Sequence, residues 1–305
     1  GEDTGCANDE SWSLRLVVRT SGVLIALALA AVACAPLFGH SGFLLTRGAG
    51  DSANLLFRVQ QLLAAYAGGD FPARWMPDGA YGYGLPYFTY YASFSTHVAA
   101  WFKLVGFSYA LAIKLAQAAA IALGAWAVYG WMRSYSSADR GRLQARPLAA
   151  AIAYTFAPFH LVNVYARGDS LAELWALALA PLAFWAAERL GQRRSLGRVA
   201  ALAMVVALIV CTHNVSALMI LPFVGVYALM RTADDAIKER ASTVDQPASF
   251  VLRRSSFDHE LSSMVRRVAP AMAALAWGVA LSAFFWLPAL GETGAVQLSS
   301  LTNGY

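Results

Sequence analysis

Residues 199–230 read VAALAMVVALIVCTHNVSALMILPFVGVYALM, an uncharged run of 32 residues. A helix needs roughly 20 apolar residues to cross the hydrocarbon core of a bilayer, so this run is too long for one span. Thr212, His213 and Asn214 interrupt it near its middle. The run therefore predicts a helical hairpin that turns near His213 and Asn214.

The composition of the whole chain agrees with a membrane protein. Of its 305 residues, 58% are hydrophobic and 13% are charged, and the mean hydropathy is +0.50. A soluble domain carries about 25% charged residues, so a water-soluble globule is excluded. The net charge of +5 gives no indication of a nucleic-acid partner. The three cysteines lie far apart and predict neither a disulfide framework nor a metal site.

Further uncharged or apolar runs predict the other spans. They cover 20–46, 115–132, 147–166, 174–187 with its flanks, and 268–291. Together with the hairpin they predict an all-α polytopic transmembrane helical bundle of about seven spans. We expect the chain to be a fragment of a longer polytopic protein.

The topology depends on residues 87–107, which are apolar but rich in Tyr, Ser and Thr. If this segment re-enters or lies along the membrane and the N-terminus is cytoplasmic, seventeen of the 23 Lys and Arg residues face the cytoplasm, as the positive-inside rule requires. A fully spanning segment with an external N-terminus is the rival interpretation. We prefer the first because Arg15 and Arg19 flank the first span, whereas acidic residues match the cations of the next loop.

This topology divides the chain into segments. We predict a cytoplasmic N-terminal segment (1–19) and a transmembrane domain (20–292), followed by an external segment (293–305) that we expect to be truncated. Within the domain, 39–107 form the first external loop, and 231–267 form a cytoplasmic loop that we expect to be flexible. Four polar clusters then share the external face: the loop 39–86, residues 165–173, the His213 turn and Glu292.

The first external loop begins with an amphipathic helix. From Asp51, apolar residues recur at helical spacing up to Tyr66, and Gly68 and Gly69 follow. We predict that this helix lies on the membrane surface. Asp51 is the first residue of this helix pattern and suits an N-cap. It also suits a general base or a ligand for a divalent cation, and these roles are compatible with capping.

An aromatic segment follows the helix. Nine of the 24 residues from Phe71 to Phe94 are aromatic, and Arg74, Trp75 and Tyr83 lie among them. Such a segment is typical of an interfacial aromatic belt. It also suits a stacking surface for a sugar ring or an isoprenoid chain, and both roles are open.

Two polar clusters at span ends are candidates for binding an anion. Arg167 lies beside Asn163, Asp169 and Glu173, and a guanidinium at the interface suits a lipid-linked phosphate. Ser170 with Glu173 also fits a capping box, which would make Glu173 structural. His213 is either an interfacial histidine with its hydrogen bonds satisfied, or a phosphate donor or second acid/base group, and a turn explains Asn214. No zinc-ligand spacing, glycine-rich phosphate loop or serine elbow is present in the sequence, so no cofactor is assigned.

The order of these motifs resembles a prokaryotic membrane-protein family. It consists of Asp51, GDFPARW (69–75), GYGLPYF (82–88), YARGD (165–169) with Glu173, and His213 with Asn214. The family is the 6-pyruvoyl-tetrahydropterin synthase-related one, and it is similar to the glycosyltransferase C (GT-C) superfamily. The pterin label is misleading, because a pterin synthase needs a set of zinc-binding histidines that this sequence lacks.

The resemblance to GT-C enzymes implies an activity. It implies transfer of a sugar from a polyprenyl-phosphate donor in the membrane lipid to an acceptor at the outer face of a plasma membrane. Asp51 matches the catalytic base, and Arg167 and His213 are the candidates for holding the donor phosphate. The predicted substrate-binding residues are Arg74, Trp75, Tyr83, Asp169, Glu173 and Asn214. The paired acidic motif of the superfamily is absent, since Ser52 follows Asp51, so the metal is unknown.

Two other classes of function stay open. The same charges suit a transporter or lipid flippase of the cell envelope, although the sequence shows no convincing internal repeat. A non-catalytic protein of envelope assembly is the third alternative. The oligomeric state is not predicted.

Overall fold

The computed structural model describes residues 4–42, 52–135, 145–167, 170–244 and 257–295. Their side chains are described for 21–42, 54–135, 145–167, 170–232 and 265–295. These residues form helices and no β-strand, which confirms the all-α prediction. The twelve α-helices of the described ranges are α1 Thr4–Phe38, α2 Ser52–Ala67, α3 Tyr87–Tyr90, α4 Phe94–Leu104, α5 Tyr109–Ser134, α6 Ala145–Thr155, α7 Pro158–Tyr165, α8 Leu171–Gln192, α9 Leu196–Val210, α10 Asn214–Val244, α11 Phe257–Leu281 and α12 Ala283–Gly291.

Five stretches are long and apolar enough to cross a membrane. They are Ser21–Phe38, Tyr109–Ser134, Ala145–Tyr165, Leu171–Gln192 and Asn214–Thr232. A sixth is the pair Val265–Leu281 and Ala283–Gly291, which is bent by 61° at Ser282. Helix α9 is apolar but has only 15 residues. Five of the predicted seven or so spans are therefore found as candidates, and six if the bent pair counts as one, whereas α9 is shorter than the thickness of a bilayer requires.

The run at 199–230 folds as the hairpin that its length predicts. Helix α9 ends at Val210 and α10 begins at Asn214, so the turn falls on the three polar residues between them and at the start of α10. One face of α10 stays on the outside of the bundle. It carries large apolar side chains at a helical spacing, each at least 59% exposed: Val215, Leu218, Met219, Phe223, Val226 and Met230. A face of this kind is suited to lipid.

Residues 87–107 do not form a continuous span. They fold into the one-turn helix α3 and the 11-residue helix α4, which are separated by an extended Tyr91. Because 11 helical residues rise only about 16 Å, α4 is too short to cross a bilayer. Neither helix of this segment is therefore long enough to cross a bilayer alone, and the topology stays a prediction.

The segment 231–267, predicted to be a flexible loop, is helical at both ends. The prediction of a flexible loop is wrong at both ends of this segment, because α10 continues to Val244 and α11 begins at Phe257. Residues 233–241 read ADDAIKERA, and Ala, Lys, Glu and Arg are strong helix formers. These residues are polar but favour a helix, so α10 continues past the end of the apolar span at Thr232.

Small residues let the helices approach closely. A Cβ added to Gly278 of α11 would lie 2.6 Å from the carbonyl oxygen of Ala203 in α9. A Cβ added to Gly130 of α5 would lie 2.5 Å from the ring of Trp185 in α8. Close approach through glycine is a common way for transmembrane helices to pack. Two buried apolar clusters result, one around α1, α2, α4 and α5, and one around α8, α9, α10 and α11.

A buried ion pair joins two spans at the end of the bundle opposite the α9–α10 turn. Glu188 of α8 is 1% exposed and accepts from Arg231 of α10 through both carboxylate oxygens, at 2.6 and 2.8 Å. The Tyr227 hydroxyl and the Gln192 amide also donate to this carboxylate, at 2.7 and 3.1 Å. Trp131 of α5 donates to Tyr227 at 3.1 Å, so the network connects three helices. The Glu188 carboxylate thus accepts four hydrogen bonds, two of them from the positively charged Arg231.

We predict that Glu188→Leu destabilises the bundle, because it removes the carboxylate that Arg231, only 22% exposed, pairs with. The free energy of unfolding in detergent should fall by about 3–5 kcal/mol. The double variant with Arg231→Met should recover most of this loss, since neither charge then remains. Arg189→Ala, at an exposed neighbouring position, serves as the control. Wild-type stability of Glu188→Leu would show that the pair does not hold the spans together.

Candidate functional site

We call the end of the bundle that carries the α9–α10 turn the loop end, because the segment 68–93 covers it. This segment leaves α2 through Gly69, whose φ is +86°. The Asp70 carboxylate then accepts from the backbone N–H of Arg74 at 3.0 Å. Gln61 of α2 exchanges two hydrogen bonds with Asp78, at 2.7 and 2.8 Å. The segment is therefore pinned to the helix that precedes it.

The aromatic part of the segment closes on itself. Met76 and Leu85 form an antiparallel bridge with N···O distances of 2.7 and 3.0 Å. Gly84 lies directly beneath the indole of Trp75, and a Cβ added to it would be 1.9 Å from the Trp75 Nε1 atom. Tyr83, in contrast, is 89% exposed. Trp75 is thus held in place, whereas Tyr83 projects outward.

The end of the segment docks on the α9–α10 turn. The backbone N–H of Phe94 donates to the Cys211 carbonyl at 2.9 Å, and the Asn214 side chain donates to the Tyr90 carbonyl at 2.9 Å. The Tyr90 hydroxyl donates to the Glu292 carbonyl, also at 2.9 Å. The described residues of the first loop, the His213 turn and Glu292 therefore lie together.

Arg167 forms an ion pair at the same end of the bundle. Its Nη1 atom donates to the Glu173 carboxylate at 2.6 Å and to the Asn163 side chain at 3.2 Å. The Arg167 side chain is 50% exposed and that of Glu173 is 22% exposed. Both contacts use Nη1, so Nε and Nη2 have no hydrogen-bond partner among the described residues. This leaves the fork of the guanidinium available for a ligand.

The predicted capping box at the start of α8 is wrong. Ser170 is the N-cap residue, but its side chain makes no capping hydrogen bond. Glu173 is one turn into the helix and reaches out to Arg167 instead. An arginine six residues earlier competes successfully for the carboxylate because a charged pair is stronger than a hydrogen bond to a neutral amide.

His213 lies close to this pair. The backbone N–H of Ser216 donates to His213 Nδ1 at 3.3 Å, and the Ser216 hydroxyl lies 2.7 Å from the same atom. We assign the proton of the neutral ring to Nε2 on this basis. Burial lowers the pKa of His213, Glu173 raises it and Arg167 lowers it, and the net shift is downward. The ring is therefore neutral at pH 7 and offers an Nε2–H donor.

Sequence reasoning missed one cation of this region. The Arg58 guanidinium lies 5.1 and 5.2 Å from the ring centroids of Tyr87 and Tyr91, which stack on each other at 4.8 Å. Tyr91 in turn contacts the His213 ring edge-on, with centroids 6.4 Å apart. The sequence carried no signal for this contact, because Tyr91 follows α3 in an extended conformation and helical spacing does not place its ring.

The structure brings some of the predicted site residues together and leaves others apart. Arg167, Glu173 and His213 are brought together, Asn214 holds the docked loop, and Arg74 lies nearer to α12, where its Nη2 atom is 3.3 Å from the Phe284 carbonyl. Asp51 and Asp169 lie outside the described residues. Across the described ranges, no three His, Cys, Asp or Glu side chains are grouped so that they could hold a metal ion.

The fold and its apolar exterior define an integral membrane protein with several transmembrane helices. A family model described as 6-pyruvoyl-tetrahydropterin synthase related domain, of membrane proteins, matches residues 88–239, about half of the chain. The chain belongs to this family. Comparisons with curated proteins and with solved structures gave no match.

The contact between Gly84 and Trp75 gives a test of the loop. We predict that Gly84→Ala disrupts the segment 71–85, because its Cβ would collide with the indole, whereas the space around Gly82 is open. Both glycines have φ near +90°, so Gly82→Ala is a control for backbone strain alone. Limited proteolysis in detergent should cut the loop of Gly84→Ala at least several times faster. Equal rates for the two variants would contradict the packing described here.

The lowered pKa of His213 predicts a pH dependence. In the unfolded chain a histidine takes up a proton near pH 6.5, whereas folded His213 resists it. Its contribution to stability is thus complete above pH 6.5 and declines as the pH falls below that value. His213→Asn keeps a capping side chain but does not titrate. Thermal unfolding from pH 7.5 to 5.0 should show a smaller loss for the variant, and parallel curves would contradict the assignment.

Proposed function

We propose that the protein is a membrane glycosyltransferase that moves a sugar from a polyprenyl-phosphate donor to an acceptor hydroxyl at the extracytoplasmic face. The observation that carries the proposal is the grouping of Arg167, Glu173 and His213 at the loop end, beside a segment rich in aromatic residues. A lipid-linked phosphate needs cationic and neutral hydrogen-bond donors at the edge of the bilayer, and this cluster supplies both.

The donor phosphate would bind to Arg167 and His213. Arg167 is half exposed, and its Nε and Nη2 atoms form the fork that matches two phosphate oxygens. Glu173 holds the opposite edge of the guanidinium through Nη1 and so orients the fork. Neutral His213 adds one N–H donor without further charge. These donors would stabilise the charge that develops on the departing polyprenyl phosphate.

The reaction is a single displacement. The acceptor oxygen forms a bond to the anomeric carbon while the bond from that carbon to the phosphate oxygen breaks, which inverts the configuration. The proton of the acceptor hydroxyl goes to Asp51, and polyprenyl phosphate leaves with the electron pair. Asp51 holds this role through the resemblance described above, as the carboxylate that precedes α2.

The acceptor would lie against the first loop. Trp75 offers a fixed aromatic face, since Gly84 supports its indole from below. Arg74, Tyr83, Asp169 and Asn214 complete the proposed set, with Asn214 acting through its hold on the Tyr90 carbonyl. Stacking on an aromatic face suits the apolar side of a sugar ring.

Transfer of labelled sugar from membrane lipid tests the proposal. Asp51→Asn should lower the rate by about 10²–10⁴-fold, as expected for loss of a general base. Arg167→Gln should lower it by about 10²–10³-fold through loss of charge stabilisation. Asp9→Asn, in the N-terminal segment, is the control, and immunoblots check that the amounts of protein are equal. Full activity of Asp51→Asn would remove that residue as the base, and no transfer by the wild type from polyprenyl-phosphate sugars would remove the proposal itself.

A further inference from the structure

A second site lies beside the cluster, in a cavity of about 300 Å³. It is enclosed by the end of α2, residues 71–74, α3, α4 and the start of α12. Its walls are mostly aromatic. Ligand pockets span roughly 300–1,000 Å³, so the cavity is large enough for a small molecule.

The cavity opens to the outside of the bundle. Phe71, Trp101 and Phe284 line it and are also 80%, 53% and 56% exposed. Phe284 belongs to α12, the outer part of the bent span. An apolar molecule can therefore enter from the surrounding lipid.

Two polar groups in the wall are left without partners by the described residues. The Tyr66 hydroxyl is buried and makes no hydrogen bond in this part of the chain. His97 donates from Nδ1 to the Ser93 carbonyl at 2.7 Å, which leaves Nε2 as a bare acceptor. The ring centroids of Tyr66 and His97 lie 5.8 Å apart, so the two side chains are neighbours in the wall.

The protonation states of Tyr66 and His97 determine which polar group of a ligand fits between them. Burial lowers the pKa of His97, although its bond to Ser93 opposes this, so the ring is neutral at pH 7. Burial and the nearby Asp70 raise the pKa of Tyr66 to about 12, so its hydroxyl stays protonated. The wall therefore offers one donor and one acceptor. A hydroxyl group both accepts and donates a hydrogen bond, whereas a phosphate would place an anion beside the bare Nε2.

We propose that this cavity binds an apolar lipid alcohol, whose hydroxyl accepts from Tyr66 and donates to His97 while its chain contacts the aromatic walls. Arg74 also lines the cavity, and its Nη2 atom donates to the Phe284 carbonyl at 3.3 Å, which directs the guanidinium toward α12. Binding of the alcohol needs no sugar transfer, so the site goes beyond the function proposed above.

Cys211 provides a reporter, since it lines the cavity. Burial raises the pKa of its thiol to about 11, so its alkylation is slow and easily followed. The full chain with Cys6→Ser and Cys34→Ser leaves this one thiol. It is placed in phosphatidylcholine nanodiscs, and its alkylation by N-ethylmaleimide at pH 8.5 is timed with added farnesol, farnesyl methyl ether or farnesyl phosphate.

Farnesol should slow alkylation at least fivefold, and the methyl ether should be about tenfold less potent because it cannot donate to His97. Tyr66→Phe and His97→Leu should each raise the farnesol concentration required by roughly three- to tenfold. Tyr81→Phe, at a fully exposed tyrosine, should leave it unchanged. Absence of protection, equal protection by the ether, or stronger protection by farnesyl phosphate would each overturn the proposal. Thermal unfolding checks that the variants fold.

Discussion

The turn between α9 and α10 is the constraint on which the loop end depends. A helix that stops inside an apolar run leaves backbone groups unpaired, and lipid offers them no hydrogen bonds. Part of the solution comes from residues 90–94, since the Phe94 N–H satisfies the Cys211 carbonyl and Asn214 satisfies the Tyr90 carbonyl. The break in the helix therefore recruits the first loop. A continuous helix through Thr212 would leave the loop without this support.

This docking divides the loop end into two compartments. On the Tyr91 side lie His213 and the pair of Arg167 with Glu173, where charged and polar groups meet. Phe94 and Cys211 line the other compartment, the aromatic cavity. One region is suited to an anionic headgroup and the other to an apolar chain. The two proposals concern these two regions, and Arg74 is the residue that they share.

The sequence predicted the parts of the fold that depend on length and periodicity. The hairpin at 199–230, the helix after Asp51 and the apolar spans follow from one-dimensional patterns, because lipid and burial each select for apolar surface. Pairings between distant side chains could not be predicted in this way. The capping box at Ser170 was a sound local pattern, but another local contact, with Arg167 six residues before Glu173, replaced it. The stack of Arg58 on Tyr87 and Tyr91 likewise depends on how α2 meets α3.

The ion pairs Glu188–Arg231 and Glu173–Arg167 differ in how much of the arginine they engage. Arg231 spends both Nε and Nη2 on Glu188, whose carboxylate is 1% exposed and also accepts from Tyr227. The carboxylate of this pair is closed to a ligand, and the pair joins α8 to α10. Arg167 meets Glu173 through Nη1 alone and is half exposed. The loop end is therefore where we propose chemistry on a charged substrate, whereas the pair at the opposite end joins α8 to α10.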